Sequence, residues 1–304
     1  MSALDVIESW PVTTVAAGWR RADDSSTSRG QTDHVFALAS VTKPLVALAV
    51  LVAVEERSLS LDRPAGPPGS TVAHLLSHSS GLAPENTENA TLSRLATRRI
   101  YSNYGFELLG RALEEATGIE TATYLQEAIL DPLGMTSTGL HGSPAHGATS
   151  TVADLLRLGA ELANPTLLSP ETLAAAVTPV FPQLTGVLPG FGRQTPNPWG
   201  LGFELKGSKQ PHWTGSRNSP ETFGHFGRAG TFFWYDPVAE VFCTVLTDRP
   251  FGPWAAESWP TLSDAVLEEA GPIGAARPER WTTTRSADVD GDPRTEVAQT
   301  TLDP

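Results

Sequence analysis

The chain runs to 304 residues, 40% hydrophobic and 18% charged, with eight tryptophans; this suits one large domain or two lobes sharing a cleft and excludes a disordered chain. Acidic residues outnumber basic ones by 34 to 21, a formal net charge of −13, so the positive surface that nucleic acid or an anionic membrane needs is missing. One cysteine, Cys243 in the apolar run Val241 to Leu246, permits no internal disulfide and no cysteine-based metal cluster, and reads as core filler.

Met1 to Asp5 has neither the basic nor the apolar region of a secretion signal, so the expected location is the cytoplasm. Residues 11–19 read as a β-strand by their β-branched content, and the polar stretch from Arg20 to Asp33 reads as a loop. The next strong element is a helix opening close to Ser40 and ending near Arg57. Pro44 lacks an amide hydrogen and is tolerated only near a first turn, where such hydrogens have no intrahelical partner. The apolar run Pro44 to Val54 is shorter than the roughly 20 residues that span a bilayer. Asp62 to Ser70, rich in proline and glycine, is a linker at a lobe boundary.

Helical patterns follow at Thr71 to His78, Tyr104 to Thr117 with Gly118 as its stop, and Thr121 to Ile129. Two more open on caps, at Thr151 running to about Ala163 and at Ser169-Pro170 running to about Val177. Beyond the proline- and glycine-rich passage Pro179 to Pro198, strands return at Trp199 to Leu205, Phe223 to Phe226, Thr231 to Tyr235 and Val241 to Thr247. The last two form an antiparallel hairpin. A helix over Leu262 to Ala270 closes the fold, and from Ala275 the polar composition predicts a disordered tail. The expected class is α+β: a sheet lobe from residues 1–62 and 180–274, an inserted helical lobe from 63–179, and a tail from 275–304.

Four stretches carry chemistry. Ser40 and Lys43 stand three positions apart, one turn from each other on one helix face, a nucleophile beside an amine. The helix N-terminus favours developing negative charge, and a lysine held neutral by burial or a nearby cation can act as the base for such a serine. The pattern alone equally describes a cap beside a solvated lysine, but the chain has only three lysines, Lys43, Lys206 and Lys209, and this one lies in an apolar segment. Tyr101-Ser102-Asn103 sits on a loop at the start of a helix, where functional side chains are commonly displayed. Gly224 to Gly230, containing His225, precedes the hairpin, and its glycines let a ligand approach the backbone. His74 and His78 have the spacing of a metal pair, but no accompanying glutamate or third ligand is evident, and packing and capping explain them better.

Taken in order, Ser40-x-x-Lys43, His74-Leu-Leu-Ser-His78-Ser-Ser-Gly-Leu, Tyr101-x-Asn103 and His225-Phe226-Gly227 before paired strands resemble the serine β-lactamase and penicillin-binding-protein superfamily. The resemblance runs from about Val35 to Leu267 and is closest to the class C-like branch, which includes D-aminopeptidases, D-alanyl-D-alanine carboxypeptidases and esterases. It implies a β-lactamase/transpeptidase-like fold, an antiparallel sheet flanked by the first and last helices with the helical lobe inserted and the site between. It also implies Ser40 as acylated nucleophile, Lys43 as its base, Tyr101 as proton carrier and Asn103 as a substrate ligand. His225 stands where many relatives carry lysine, Gly227 lets substrate lie along the strand edge, and the backbone N–H groups of Ser40 and Arg228 form the oxyanion hole. No metal or cofactor and no obligate protein partner is implied.

Histidine at 225 replaces a fixed cation and weakens the case for a substrate carboxylate, and Phe226 adds apolar bulk where relatives have a small polar residue. The expected activity is therefore hydrolysis of a small ester or amide through an acyl-enzyme. A D-stereospecific peptidase, DD-carboxypeptidase or weak β-lactamase is the neighbouring alternative, and a non-catalytic ligand-binding homologue the alternative of another class. Trp213, Arg217 and Glu221 either shape specificity or pack the loop before His225.

Overall fold

The computed structural model describes residues 2–87 and 90–272; the tail expected at 275–304 lies outside the described residues. A 3-10 turn at Ala3–Ser9 precedes β1 (Val15–Arg21), β2 (Ser26–Gly30) and β3 (Phe36–Ala37). A second 3-10 turn, Ala39–Val41, runs into α1 (Thr42–Glu55). Helices α2 (Val72–Leu76), α3 (Asn103–Thr117) and α4 (Thr121–Leu125) follow, the last continued by a π turn at Gln126–Leu130. Then come β4 (Gly139–Leu140), β5 (Ala148–Ser150), α5 (Val152–Ala163) and α6 (Pro170–Ala176). The chain continues through β6 (Gly186–Leu188), β7 (Gly192–Gln194), β8 (Glu204–Leu205), β9 (Phe223–Gly227), β10 (Thr231–Asp236) and β11 (Val241–Thr247) to α7 (Pro253–Ala270).

Six strands make one antiparallel sheet in the order β2-β1-β11-β10-β9-β8. Its two faces bury alternate residues. Ala16, Phe233, Tyr235, Phe242 and Leu246 face a core shared with Leu155, Leu158 and Leu162 of α5 and with the helical lobe. Ala17, Phe232, Trp234, Val241, Cys243 and Val245 face a second core with Leu4, Ile7, Trp259, Leu262 and Val266, from the Ala3–Ser9 turn and α7. Because β10 and β11 are buried on both faces, they read as unbroken apolar runs.

The flanking helices differ from expectation. α1 is apolar on nearly every side and packs against α3 and α4, between the sheet and the helical lobe, rather than lying on the sheet. α5, counted with the inserted lobe by chain position, is the helix that covers the sheet opposite α7. The stretch expected as a loop contains β2, an exposed polar edge strand held by backbone pairing to β1, which leaves no hydrophobic alternation to read. Of the strand expected over Trp199 to Leu205, only Glu204–Leu205 forms. Gly202 (φ +89°) bends the rest over α1, where an added Cβ would stand 2.1 Å from that of Ala47. α7 begins nine residues earlier than predicted and runs through Pro260. Burial of Ala255 and Trp259 outweighs the cost of about 3 kcal/mol that an internal proline imposes.

Candidate active site

Leu38 is held from two sides. Its N–H donates to the Ala148 carbonyl of β5 and its carbonyl accepts from Thr231 Oγ1 of β10, both at 2.9 Å. Ala39 then adopts a left-handed backbone, φ +46°, uncommon for alanine, and Ser40, next in the chain, lines a cleft of about 640 Å³. Strand β9 passes directly behind this turn. A Cβ on Gly227 would stand 2.3 Å from the Leu38 carbonyl oxygen and 2.5 Å from Thr231 Oγ1. The glycine at 227 is therefore required by the chain that carries Ser40. It is not among the residues that line the cleft.

Lys43 lies beneath Ser40 and is completely buried. Its Nζ donates to Asn103 Oδ1 at 2.7 Å and to the Ala145 carbonyl at 2.8 Å, and stands 3.4 Å from Ser40 Oγ. It also lies 4.6 Å from the centre of the Tyr101 ring. Burial drives the amine well below its ordinary pKa, against a smaller upward pull from Glu85. Asn103 is tied at both ends of its amide, since Nδ2 donates to Glu85 Oε1 at 2.7 Å. The side chain expected to grip substrate is thus engaged with Lys43 and Glu85.

Tyr101 belongs to a set of rings. Its ring centre is 4.6 Å from that of His78, 5.8 Å from His225 and 5.9 Å from Trp199. Burial raises its pKa above the ordinary tyrosine value; the nearby Ser40 hydroxyl pulls the other way, without closing a hydrogen bond of normal geometry to the phenol. His225 Nδ1 is 2.7 Å from the Phe226 carbonyl, so it carries the hydrogen and Nε2 is left as an acceptor. Burial, helped by Lys43, pushes His225 down to about 3. His78 does the opposite: Nδ1 accepts the Ser102 N–H at 3.1 Å, which leaves the hydrogen on Nε2. Its pKa is also driven well down, by burial first and then by Lys43. His74 and His78 part company after α2. His74 caps α2 through Thr71, whereas His78 has left the helix with φ +55°, so the two share no face.

Ser40, Tyr101, Asn103, His225 and Arg228 all line the one cleft, Lys43 lies under its floor, and Arg228 is exposed at its mouth. Leu188, Pro189, Phe226 and Phe251 form an apolar wall, closed by the β6–β7 hairpin. Phe226 packs into an aromatic cluster with Phe251 and Trp259 at 5.0 and 6.0 Å. Glu204, also at the cleft, is buried, and its carboxylate is fully engaged: Lys209 Nζ at 2.7 Å, His212 Nε2 at 3.1 Å and Trp213 Nε1 at 2.6 Å. Trp213 is thereby a packing residue, and neither Arg217 nor Glu221 lines the cleft.

Sequence reasoning missed Glu85, Trp199, Glu204 and the Leu188–Pro189 wall. The last lies in the passage dismissed as a proline- and glycine-rich connector. Glu85 follows the His78 motif by seven residues and offers no pattern beyond that proximity.

The architecture is the β-lactamase/transpeptidase-like fold. A crystal structure of a beta-lactamase from Mycobacterium bovis superimposes with a TM-score of 0.86 at 53% identity, over 88% of this chain and 99% of that one. The family model described as Beta-lactamase matches residues 1–268, and the chain belongs to that family. Among curated relatives, an esterase of Burkholderia gladioli (EstB) is 32% identical over 151 residues, 35% of this chain and 38% of the esterase. Penicillin-binding protein 4* of Bacillus subtilis is 29% identical over 143 residues, 36% of this chain and 32% of that protein. The matched stretch thus spans only about a third of either relative's length. Among the described residues no helix is long and apolar enough to cross a membrane.

Proposed function

We propose that the chain is a serine hydrolase that works through an acyl-enzyme on a small ester or amide. The bonding of Lys43 carries this reading. A neutral amine has two N–H bonds and one lone pair. Asn103 Oδ1 and the Ala145 carbonyl take the two hydrogens, which leaves the lone pair for Ser40 Oγ. Burial favours the neutral amine and, in the same way, the protonated phenol of Tyr101.

Ser40 Oγ attacks the substrate carbonyl as its proton passes to Lys43 Nζ, and the carbonyl π electrons become an oxyanion. Collapse of that intermediate breaks the bond to the leaving alkoxide or amine, which takes a proton from Tyr101 while Tyr101 recovers one from Lys43. Water then attacks the acyl group with the same groups as base and acid, releasing the carboxylic acid and restoring Ser40. The oxyanion's donors are the backbone N–H groups of Ser40 and Arg228, supported by the contact of Gly227 with Leu38 and Ala39. One such donor is worth about 2.7–4 kcal/mol of transition-state stabilisation.

A neutral His225 beside an apolar wall suits an uncharged acyl group, and the esterase among the relatives points the same way. The chemistry needs no metal or cofactor, and the partner is a small molecule. The exposed Arg228 favours a second reading, a D-stereospecific peptidase, DD-carboxypeptidase or weak β-lactamase, since it can pair with a substrate carboxylate. Intact-protein mass spectrometry with a short-chain nitrophenyl ester, alongside Ser40→Ala, tests the main reading. A transient acyl adduct and sustained nitrophenol release, both lost in Ser40→Ala, are expected. Equal release from both proteins would remove Ser40 from the mechanism, and one stoichiometric burst without turnover would leave a binding homologue.

A further inference from the structure

We infer that Glu85 is a positioning residue of the active site: its carboxylate fixes the Asn103 amide, and through it the direction of the Lys43 lone pair. The inference rests on the serine hydrolase reading above and adds to it a residue outside all four sequence motifs.

The geometry leaves one arrangement. An ionised carboxylate can only accept hydrogen bonds, so the Asn103 end that faces Glu85 Oε1 at 2.7 Å must be Nδ2. Oδ1 is then the end that faces Lys43 Nζ, also at 2.7 Å, and it holds one of the amine's hydrogens. The Ala145 carbonyl holds a second and is fixed backbone. Were the amide reversed, Nδ2 would face Nζ as a competing donor, and the lone pair would turn from Ser40 Oγ towards it. Glu85 itself is exposed at the cleft wall, so its worth lies in direction and charge rather than in packing.

The other groups around Lys43 do not supply that charge. His78, from the loop after α2, and His225, from β9, are neutral rings; Tyr101 is a neutral phenol; the Phe106 ring from α3 stands 5.5 Å away. Among the described residues Glu85 is the carboxylate whose field reaches Lys43, and it raises the amine's pKa against burial. Removing the charge must therefore lower that pKa, leaving more free amine at a given acid pH.

Two variants separate direction from charge. Glu85→Gln keeps a carbonyl to receive Asn103 Nδ2 but no charge; Glu85→Ala keeps neither. The test is the pH profile of kcat and kcat/KM for a nitrophenyl ester on the full chain, with Ser40→Ala in the same series. For Glu85→Gln the acid limb should move to lower pH with a plateau kcat within about three-fold of wild type. For Glu85→Ala the limb should move likewise and the plateau kcat should fall about ten-fold or more, with KM changed less, because the base is no longer aimed. Wild-type profiles in both variants, or equal losses with an unmoved acid limb, would overturn the inference. An inactive Ser40→Ala beside wild-type Glu85 variants would remove only this inference, whereas an active Ser40→Ala would remove the serine hydrolase reading and this inference with it.

Discussion

Replacing Glu204 by glutamine should cost the fold about 3–5 kcal/mol, the range for breaking a buried ion pair by removing one partner. The carboxylate of Glu204 is buried, and so are the side chains of all three of its donors, Lys209, His212 and Trp213. Burial alone would raise its pKa, yet Lys209 and then His212 outweigh it and hold the group well below the ordinary carboxylate range. In Glu204→Gln the single carbonyl keeps at most part of that set. The amide nitrogen meets another donor, and Lys209 is left with the Pro198 carbonyl at 3.0 Å and no counter-ion. Each buried donor without an acceptor costs about 1–3 kcal/mol, which reaches the same total by a second route. Urea unfolding at pH 7 measures the loss as a fall in midpoint with an unchanged m-value. Pairing the change with Lys209→Met should restore about 2 kcal/mol or more, because the orphaned charge goes with it. The sign with pH follows from the depressed pKa: the contribution is present above about 4.3, the unfolded glutamate value, and is lost as pH falls towards the folded value. The gap between wild type and Glu204→Gln must therefore narrow in acid. A loss below about 1 kcal/mol at pH 7, or no recovery in the double variant, would refute the reasoning.

Lys43→Met should leave a folded protein, since the side chain is already buried beside the Tyr101 and Phe106 rings, and lower kcat for a nitrophenyl ester by about 10²–10⁴-fold, as removal of a general base does; a smaller loss in steady-state assays would give the base to another group. The wild-type rate should rise with pH through a limb well below the ordinary lysine value, because burial lowers the Lys43 pKa and the rate follows its free amine. Gly227→Ala should lose about 1–3 kcal/mol of stability, read as a lower melting temperature, because its Cβ has no room beside the Leu38 carbonyl. His225→Lys should raise kcat/KM for a carboxylate-bearing ester relative to its neutral analogue; an unchanged ratio would mean that His225 does not face the acyl group.

Some of this was legible in the residues. Pro44 placed the helix start, and that start placed Ser40 and Lys43 one turn apart, because a proline has few places to sit in a helix. The runs in β10 and β11 marked a strand hairpin for a similar reason: burial on both faces leaves few polar positions. What could not be read lies in contacts between distant segments. The Ala145 carbonyl that fixes Lys43 comes from a loop 102 residues away, and a backbone acceptor has no side-chain signature. β2 was hidden by its polarity, the first half of α7 by Pro253 and Pro260, and the β6–β7 wall by strands of three residues. The Asn103 amide is engaged by Lys43 and Glu85, and a motif names a side chain without saying which end of it is already taken.

The burial that makes the site hard to read also shapes its electrostatics. Removing water disfavours whichever form of a group is charged, so it lowers an amine and raises a phenol at once. Around Ser40 it therefore acts on four groups in the same sense, favouring the unprotonated forms of Lys43, His78 and His225 and the protonated form of Tyr101. Ser40 is thus surrounded by groups biased towards their neutral forms, whose directions are set by fixed partners: the Ala145 carbonyl, the Phe226 carbonyl and the Ser102 N–H. On the serine hydrolase reading proposed above, a site of this kind suits a neutral acyl group, and the exposed Arg228 is the group at its mouth that a carboxylate would have to use.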